Sequence, residues 1–344
     1  MNPVDPKAVL VTGGAGYIGS HTVKALALAG YDVCVFDNLL AGHREAVERI
    51  ARAVPARSIT LVEGDILDRA RVVQALRESR AQAVLHFAAL LSVGESVAEP
   101  AKYYETNVIG GLTVLSAMAE AGVSRFVFSS TAATFGEPLV TPIDESHPQL
   151  PVNPYGETKL VIERALRSLD AATGLRHIVF RYFNAAGADP EGHLGEDHTP
   201  EIHLIPRAIL AALTGEPLQI FGDDYATPDG MCIRDFVHVT DLAAAHVAGL
   251  QRLEAGRPSA SYNLGMGAGV SVRDVVSAVE RVTGRPVPHT VAARRAGDPS
   301  RLVATSSCAR TELGWTPRYG DLDTIVSTAL AWHQAHPQGY GSPE

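Results

Sequence analysis

Cysteine is scarce. Cys34, Cys232 and Cys308 are the only three in 344 residues. They show no paired spacing, which excludes a disulfide scaffold and points to free thiols in a reducing compartment, hence the cytoplasm. Long apolar runs are missing as well: none approaches the ~18 residues of a membrane-crossing helix. The opening residues lack a charged segment followed by an apolar core, so no secretory leader is expected. There is no basic stripe. Lys and Arg number 29 against 38 Asp and Glu, a net charge of −9, which argues against nucleic acid as a partner. An anionic ligand would have to be met by individually placed arginines. Tandem repeats and low-complexity stretches are absent too.

Glycine, by contrast, is concentrated where it carries information. Ala8 to Val11 is small, apolar and partly β-branched, the texture of a strand inside a parallel sheet. Thr12-Gly13-Gly14-Ala15-Gly16-Tyr17-Ile18-Gly19 follows at once. His21 to Ala29 then predicts a helix ending at Gly30, and Tyr31 to Phe36 a second buried strand closed by Asp37. In that setting glycines let the backbone approach a pyrophosphate at a helix N-terminus, where unpaired N–H groups and the dipole favour an anion. Asp37 stands 18 positions after Gly19, close to where an acid meets a ribose 2′-hydroxyl. Its charge repels a 2′-phosphate, so NAD is expected rather than NADP.

A second signal lies in Asn153-Pro154-Tyr155-Gly156-Glu157-Thr158-Lys159. Asn153 can cap a helix that Pro154 opens. Four-residue spacing then puts Tyr155 and Lys159 on one face. Alone, the pair suits an ordinary helix surface, with a Tyr over a Lys stem. Behind a dinucleotide loop it suits redox chemistry at a hydroxyl or carbonyl. A phenol, with a pKa of about 10, needs a cation nearby to serve as a base near neutrality. The run Ser129 to Gly136 follows a predicted strand at the sheet edge where α/β enzymes bind ligands. It could equally be a Ser/Thr-rich turn cap.

These motifs, with FDNL, EGDI, HFAAL, RYFNAAGA, RDFVHV, YNLG and RRAGD, run nearly end to end. In them the chain resembles the extended short-chain dehydrogenase/reductase family and, within it, the NAD-dependent UDP-sugar 4-epimerases. The resemblance implies reversible C4 epimerisation of UDP-glucose and UDP-galactose by transient oxidation to a 4-keto sugar on bound NAD. It implies Tyr155, Lys159 and Thr131 as catalytic residues. Cofactor contacts carry over to Gly13, Gly16, Tyr17, Ile18, Gly19, Asp37, Asn38, Asp65, Ile66, Phe87, Ala88 and Asn107, the last as part of the channel wall, beside Tyr155 and Lys159. Substrate contacts carry over to Thr131, Tyr155, Asn184, His203, Leu204, Phe221, Arg234, Arg295, Asp298 and Leu302. A homodimer is implied, joined by helices near Lys102–Ala121 and Asn153–Leu169, the second offering Leu160, Ile162, Leu166 and Leu169. Related 4,6-dehydratases carry an acid pair where this chain has Ala132 and Ala133, so elimination of water is disfavoured. Other readings are a 4-epimerase of UDP-GlcNAc/UDP-GalNAc or UDP-arabinose/UDP-xylose, or a non-catalytic NAD-binding sensor. The chain departs from well-known relatives at Leu91 (Lys there), Phe135 (Tyr there) and Leu302, the position implied to gate sugar size.

The expected fold is α/β, a Rossmann-type doubly wound parallel sheet with a smaller, discontinuous α/β substrate-binding domain. Residues 1–183 and about 232–264 are assigned to the NAD-binding domain, with Asp235–Val239 returning to it as a strand. About 184–231 and 265–344 are assigned to the nucleotide-sugar domain. Predicted strands include Ala83–Phe87, Arg125–Ser129 and His177–Arg181, and Gly187 to Glu201 is expected as a loop. His193, His198 and His203 are five residues apart with Pro200 between them. That spacing does not stack on a helix, so no metal is expected.

Overall fold

A computed structural model describes residues 7–295 and 299–341. The first half runs β1 (Ala8–Thr12), α1 (Tyr17–Leu28), β2 (Asp32–Asp37), α2 (Arg44–Ala53), β3 (Ile59–Glu63), α3 (Arg69–Glu78), β4 (Val84–His86), α4 (Val93–Ala98), α5 (Pro100–Tyr103), α6 (Gly110–Ala121), β5 (Arg125–Thr131), α7 (Pro154–Thr173) and β6 (Arg176–Tyr182). The second half runs β7 (Asn184–Ala186), α8 (Leu204–Thr214), β8 (Leu218–Phe221), β9 (Ile233–Arg234), β10 (Phe236–His238), α9 (Val239–Glu254), β11 (Ala260–Leu264), β12 (Val270–Ser271), α10 (Val272–Thr283), β13 (His289–Ala292), β14 (Arg301–Leu302), α11 (Ser307–Leu313) and α12 (Leu322–Ala335).

Seven strands form one parallel sheet in the order β3-β2-β1-β4-β5-β6-β11. Its strands are apolar on both faces because both are covered. Alternation sends Val9, Val11, Val33 and Val35 to one side, under α1, α2 and α9. Leu10, Cys34 and Phe36 go to the other, under α3, α6 and α7. The chain leaves β1 for β2 on one side and later places β4 on the other. That reversal opens a crevice at the carboxyl ends, where such sheets bind ligands.

A separate core joins α8, β8, α10 and α12 through Ile205, Ile209, Leu218, Ile220, Val275, Val279, Ile325 and Val326. Three small sheets accompany it: β10-β7, β12-β9-β14 and β13-β8. The strand expected at Asp235–Val239 is present as β10 but in a different sheet. β10 does not return to the large sheet. It pairs only with β7, because β11 already occupies the edge beside β6. Of the segment 232–264, α9 and β11 join the large layers, and Val237 of β10 packs into the same core although its strand pairs elsewhere. The first helix begins at Tyr17, a turn earlier than His21, because Gly16 is its N-cap. Among the described residues no helix is long and apolar enough to cross a membrane.

Candidate active site

A cavity of about 1010 Å³ runs from the residues after β1, β4 and β5 to Leu204, Phe221 and Leu302. Gly13, Gly16, Tyr17, Ile18, Gly19, Asp37, Asn38, Asp65, Ile66, Phe87 and Ala88 line one end. Gly13 has φ +70°, and a Cβ on it would lie 2.4 Å from the Ala88 nitrogen. A Cβ on Gly19 would lie 2.1 Å from the Gly13 carbonyl oxygen. Neither position admits a side chain, so the loop folds tightly onto the sheet. Gly16 caps α1 with no side-chain bond, which leaves bare backbone N–H groups facing the cavity. Those features fit a dinucleotide pyrophosphate.

Asp37 closes β2 and fastens the loop. Its Oδ2 accepts the Ala15 N–H and its Oδ1 the Leu39 N–H, both at 2.9 Å. Burial pushes its carboxyl above the ordinary value, and those two donors offset the effect only in part. Asn38 donates to Asp65 Oδ2 at 3.0 Å. The Tyr17 phenol donates to the Gly187 carbonyl at 2.6 Å, tying α1 to the substrate-side loop. Asn107 is not on the cavity wall. A π-helical turn, Tyr104–Ile109, directs it inward. There Asn107 accepts the Leu90 N–H at 2.8 Å and donates to Leu90 O and Thr158 Oγ1, both at 3.1 Å. It clamps the wall from behind.

The centre of the cavity is where β5 ends and α7 begins. Asn153 Oδ1 caps α7 by accepting the Gly156 N–H at 2.9 Å. Gly156 is needed because a Cβ there would lie 2.4 Å from Ala133 O. The start of α7 thereby rests on the short 3₁₀ turn Ala132–Phe135, and Tyr155 meets Thr131. The Thr131 hydroxyl accepts the Ala133 N–H at 3.1 Å. Burial raises the Tyr155 phenol above its ordinary value, and a hydrogen bond with Thr131 holds it back in part. Lys159 is buried. Its Nζ donates to Ser129 O at 3.0 Å and lies 5.2 Å from the Phe128 ring centroid. Burial lowers it to about 7.

Glu163, one turn beyond Lys159, went unnoticed in the sequence. It is fully buried and accepts Ser130 Oγ at 2.5 Å. Arg181 reaches it with Nε at 3.1 Å and Nη2 at 2.7 Å, and Gln149 Nε2 at 3.0 Å. The spacing of Tyr155, Lys159 and Glu163, four and four, was the available signal. Phe135 is buried with Ala132, Ile143, Phe183 and Ala304, and Leu302 packs against that group. Phe135 does not reach the cavity, whereas Leu91 does.

Asn184, His203, Leu204, Phe221, Arg234, Arg295 and Leu302 line the other end; Asp298 lies outside the described residues. The Arg295 guanidinium stacks 3.9 Å from the Phe221 ring centroid. Arg234 and Leu302 are neighbours across β9 and β14, and Arg234 Nη1 donates to Ile233 O at 2.9 Å. The three loop histidines part company. His193 joins Lys24 and Asp189. His198 and His203 meet Glu196 and Glu201, which helical spacing could not show because the segment is not helical. His203 Nδ1 is 2.6 Å from Glu196 and 3.1 Å from Glu201. Burial opposes their charge, yet the carboxylates raise His198 to about 9 and His203 to about 10.

A glycine-loop crevice, a Tyr and Lys at the strand end and an arginine-bearing far wall define a dinucleotide-dependent enzyme acting at a hydroxyl-bearing carbon. The chain belongs to the NAD dependent epimerase/dehydratase family, whose model matches residues 9–265. It is 52% identical over 328 residues to a UDP-glucose 4-epimerase of Rhizobium leguminosarum bv. trifolii, covering 95% of this chain and 97% of the relative. The UDP-glucose 4-epimerase from Brucella ovis, solved in complex with NAD, superposes with a TM-score of 0.89 at 50% identity, covering 94% of this chain and 97% of that one. That of Bifidobacterium longum, solved with NAD+ and UDP, gives 0.92 at 38% identity, covering 97% and 100%.

Proposed function

We infer that this chain catalyses reversible C4 epimerisation of a UDP-hexose, with UDP-glucose and UDP-galactose as the pair, on a resident NAD. The observation that carries the reading is the meeting of the Tyr155 and Thr131 hydroxyls between the glycine-loop end of the cavity and its arginine-bearing end. The similarity to UDP-glucose 4-epimerases over nearly the whole chain supports it. Backbone N–H groups of Tyr17 to Gly19 hold the pyrophosphate, Asp37 the adenosine ribose, and Asp65 and Ile66 the adenine. When bound, NAD supplies a reversible two-electron acceptor for carbon 4 of the sugar. Tyr155 takes the proton from the 4-hydroxyl and later returns it, and Thr131 hydrogen-bonds the same oxygen. A phenol raised by burial needs a positive charge to serve as a base. Lys159 and an oxidised nicotinamide are the two sources.

Asn184, Arg234, Arg295 and Asp298 grip the diphosphate and ribose, the arginines as planar donors suited to phosphate. His203, Leu204 and Phe221 hold the uracil. Firm binding of the nucleotide leaves the sugar free to turn and present its other face, which inversion requires. Ala132 and Ala133 carry no proton to move, so water is not expelled. The protein works in the cytoplasm as a homodimer through α6 and α7 and the turns before α6. The side chains available for that contact are Tyr104, Ile109 and Leu112, which are exposed. Leu160, Ile162 and Leu166, expected to serve, are buried within their own chain. The deciding experiment is product analysis with a panel of UDP-sugars and no added NAD. Interconversion of UDP-glucose and UDP-galactose is expected; a dehydrated product, or none, refutes the reading.

A further inference from the structure

We propose that Glu196, His198, Glu201 and His203 form a four-ligand site for a divalent transition-metal ion, zinc by its donor chemistry, on the substrate-side wall of the cavity. The proposal is independent of the epimerase reading. One ligand atom from each residue lies within 4.8 Å of the others. A tetrahedral zinc with bonds of about 2.0–2.2 Å places its donors roughly 3.3–3.6 Å apart. Here the four imidazole–carboxylate separations are 2.6, 3.1, 3.3 and 3.7 Å. The two separations at His198 bracket that spacing and the two at His203 are shorter, so the His203 contacts must open by several tenths of an ångström to admit the ion. Both histidines present Nδ1, and Glu201 meets them through different oxygens.

A second observation is the state of the polar atoms. His198 Nδ1 is buried and makes no hydrogen bond of acceptable geometry, and Glu196 Oε1, 3.3 Å away, shares that lack although it also lies 2.6 Å from His203 Nδ1. Glu196 is only 4% exposed. Buried polar atoms normally find partners, and a cation between the four donors would satisfy both. Metal binding needs both imidazoles neutral; the two carboxylates then carry −2, which one divalent ion cancels in place of the two protons that balance them in the ion-free cluster. Two nitrogens and two oxygens suit zinc better than magnesium or calcium, which prefer oxygen throughout. The site closes the irregular segment 187–203 onto α8, since His203 is that helix's N-cap. Glu196, His198 and His203 also face the cavity, so the ion would stiffen the wall beside the substrate. The competing arrangement is a pair of His–Glu ion pairs with protons where the metal would be.

The test is metal binding by the full-length protein with its resident nucleotide. After dialysis against a chelator, equilibrium dialysis with zinc chloride is expected to give one zinc per chain. Cobalt(II) should give the intense visible bands of tetrahedral coordination, abolished by zinc. His198→Gln and Glu201→Gln should each weaken zinc binding by more than the roughly 10- to 100-fold that loss of an outer-shell partner costs. His193→Gln, in the neighbouring Asp189–Glu191–His193 group, should bind as the parent does. No bound zinc, a weak octahedral cobalt spectrum, or binding lost only in His193→Gln would overturn the proposal. The parent's cobalt spectrum decides it even if a variant fails to fold.

Discussion

At the scale of the residue, Lys159 shows most clearly which force wins. Its ammonium has one carbonyl partner, Ser129, and a ring beneath it. Burial therefore brings it from 10.5 to about 7. An amine whose folded value is depressed costs stability while both states are charged, below about pH 7. Above that pH the unfolded chain binds the extra proton, so stability rises until about pH 10.5. The cost below pH 7 is on the order of 5 kcal/mol, offset in part by the bond to Ser129. Lys159→Met in nucleotide-free protein should therefore be more stable than the parent at pH 6, by about 2 kcal/mol. The difference should shrink toward pH 10, as urea unfolding at both pH values will show. Tyr155→Phe removes the one hydroxyl that can exchange the sugar proton. It should bind NAD and UDP-sugar normally and lose about 10²-fold or more in turnover. Retention of more than a tenth of the parent rate removes Tyr155 as the base. Leu302 is an aliphatic wall with no polar atom, packed on the Phe135 group. Leu302→Tyr should abolish turnover of the N-acetylated pair, which needs more room, and leave glucose/galactose turnover little changed. The measurement is kcat/KM for both pairs in both proteins, and equal losses would move the gate elsewhere.

At the scale of the element, α7 carries the chemistry because three of its side chains do different work on one face. Tyr155 faces the cavity, Lys159 braces Ser129, and Glu163 binds Ser130 and Arg181. Glu163 thus fixes α7 against the end of β5, which sets the distance between Tyr155 and Thr131. The Glu163–Arg181 pair is buried on both sides. Breaking such a pair leaves one charge stranded. Glu163→Ala should cost about 3–5 kcal/mol in denaturant unfolding, and removing both partners in favour of well-packed apolar residues should recover much of it. If the single and double variants unfold alike, the pair is not what holds α7 in place. The π turn before α6 is the other element that local rules miss. It turns Asn107 inward, away from the cavity and onto the Leu90 backbone.

At the scale of the whole molecule, residues of both cores line one cavity, and the start of α6 and the turn before it carry exposed apolar side chains. Ile109 is 54% exposed and Leu112 41%. A homodimer should bury both. Sedimentation at micromolar concentration should give twice the chain mass, and Ile109→Asp with Leu112→Asp should halve it. A parent that sediments as a monomer removes the dimer.

What the sequence determined was whatever depends on neighbours along the chain. Short apolar runs bounded by turn signals read as buried strands, so β1 and β2 were legible to within a residue. Gly13 and Gly19 were legible because a backbone that must approach another backbone has no substitute for glycine. Asn153 and Pro154 announced α7. What only the tertiary structure decided depends on residues far apart in the chain. Lys159 has its ammonium depressed by burial, because Ser129 and Phe128 of β5 close around it. Arg181 finds Glu163 across the β6–α7 packing. β10 leaves the large sheet because β11, more than twenty residues later, takes the edge it would need. His198 and His203 come together with Glu196 and Glu201 because an irregular loop has no period from which spacing could be read. Periodicity reports the local backbone; electrostatic environment and edge competition are settled only when the chain has closed on itself.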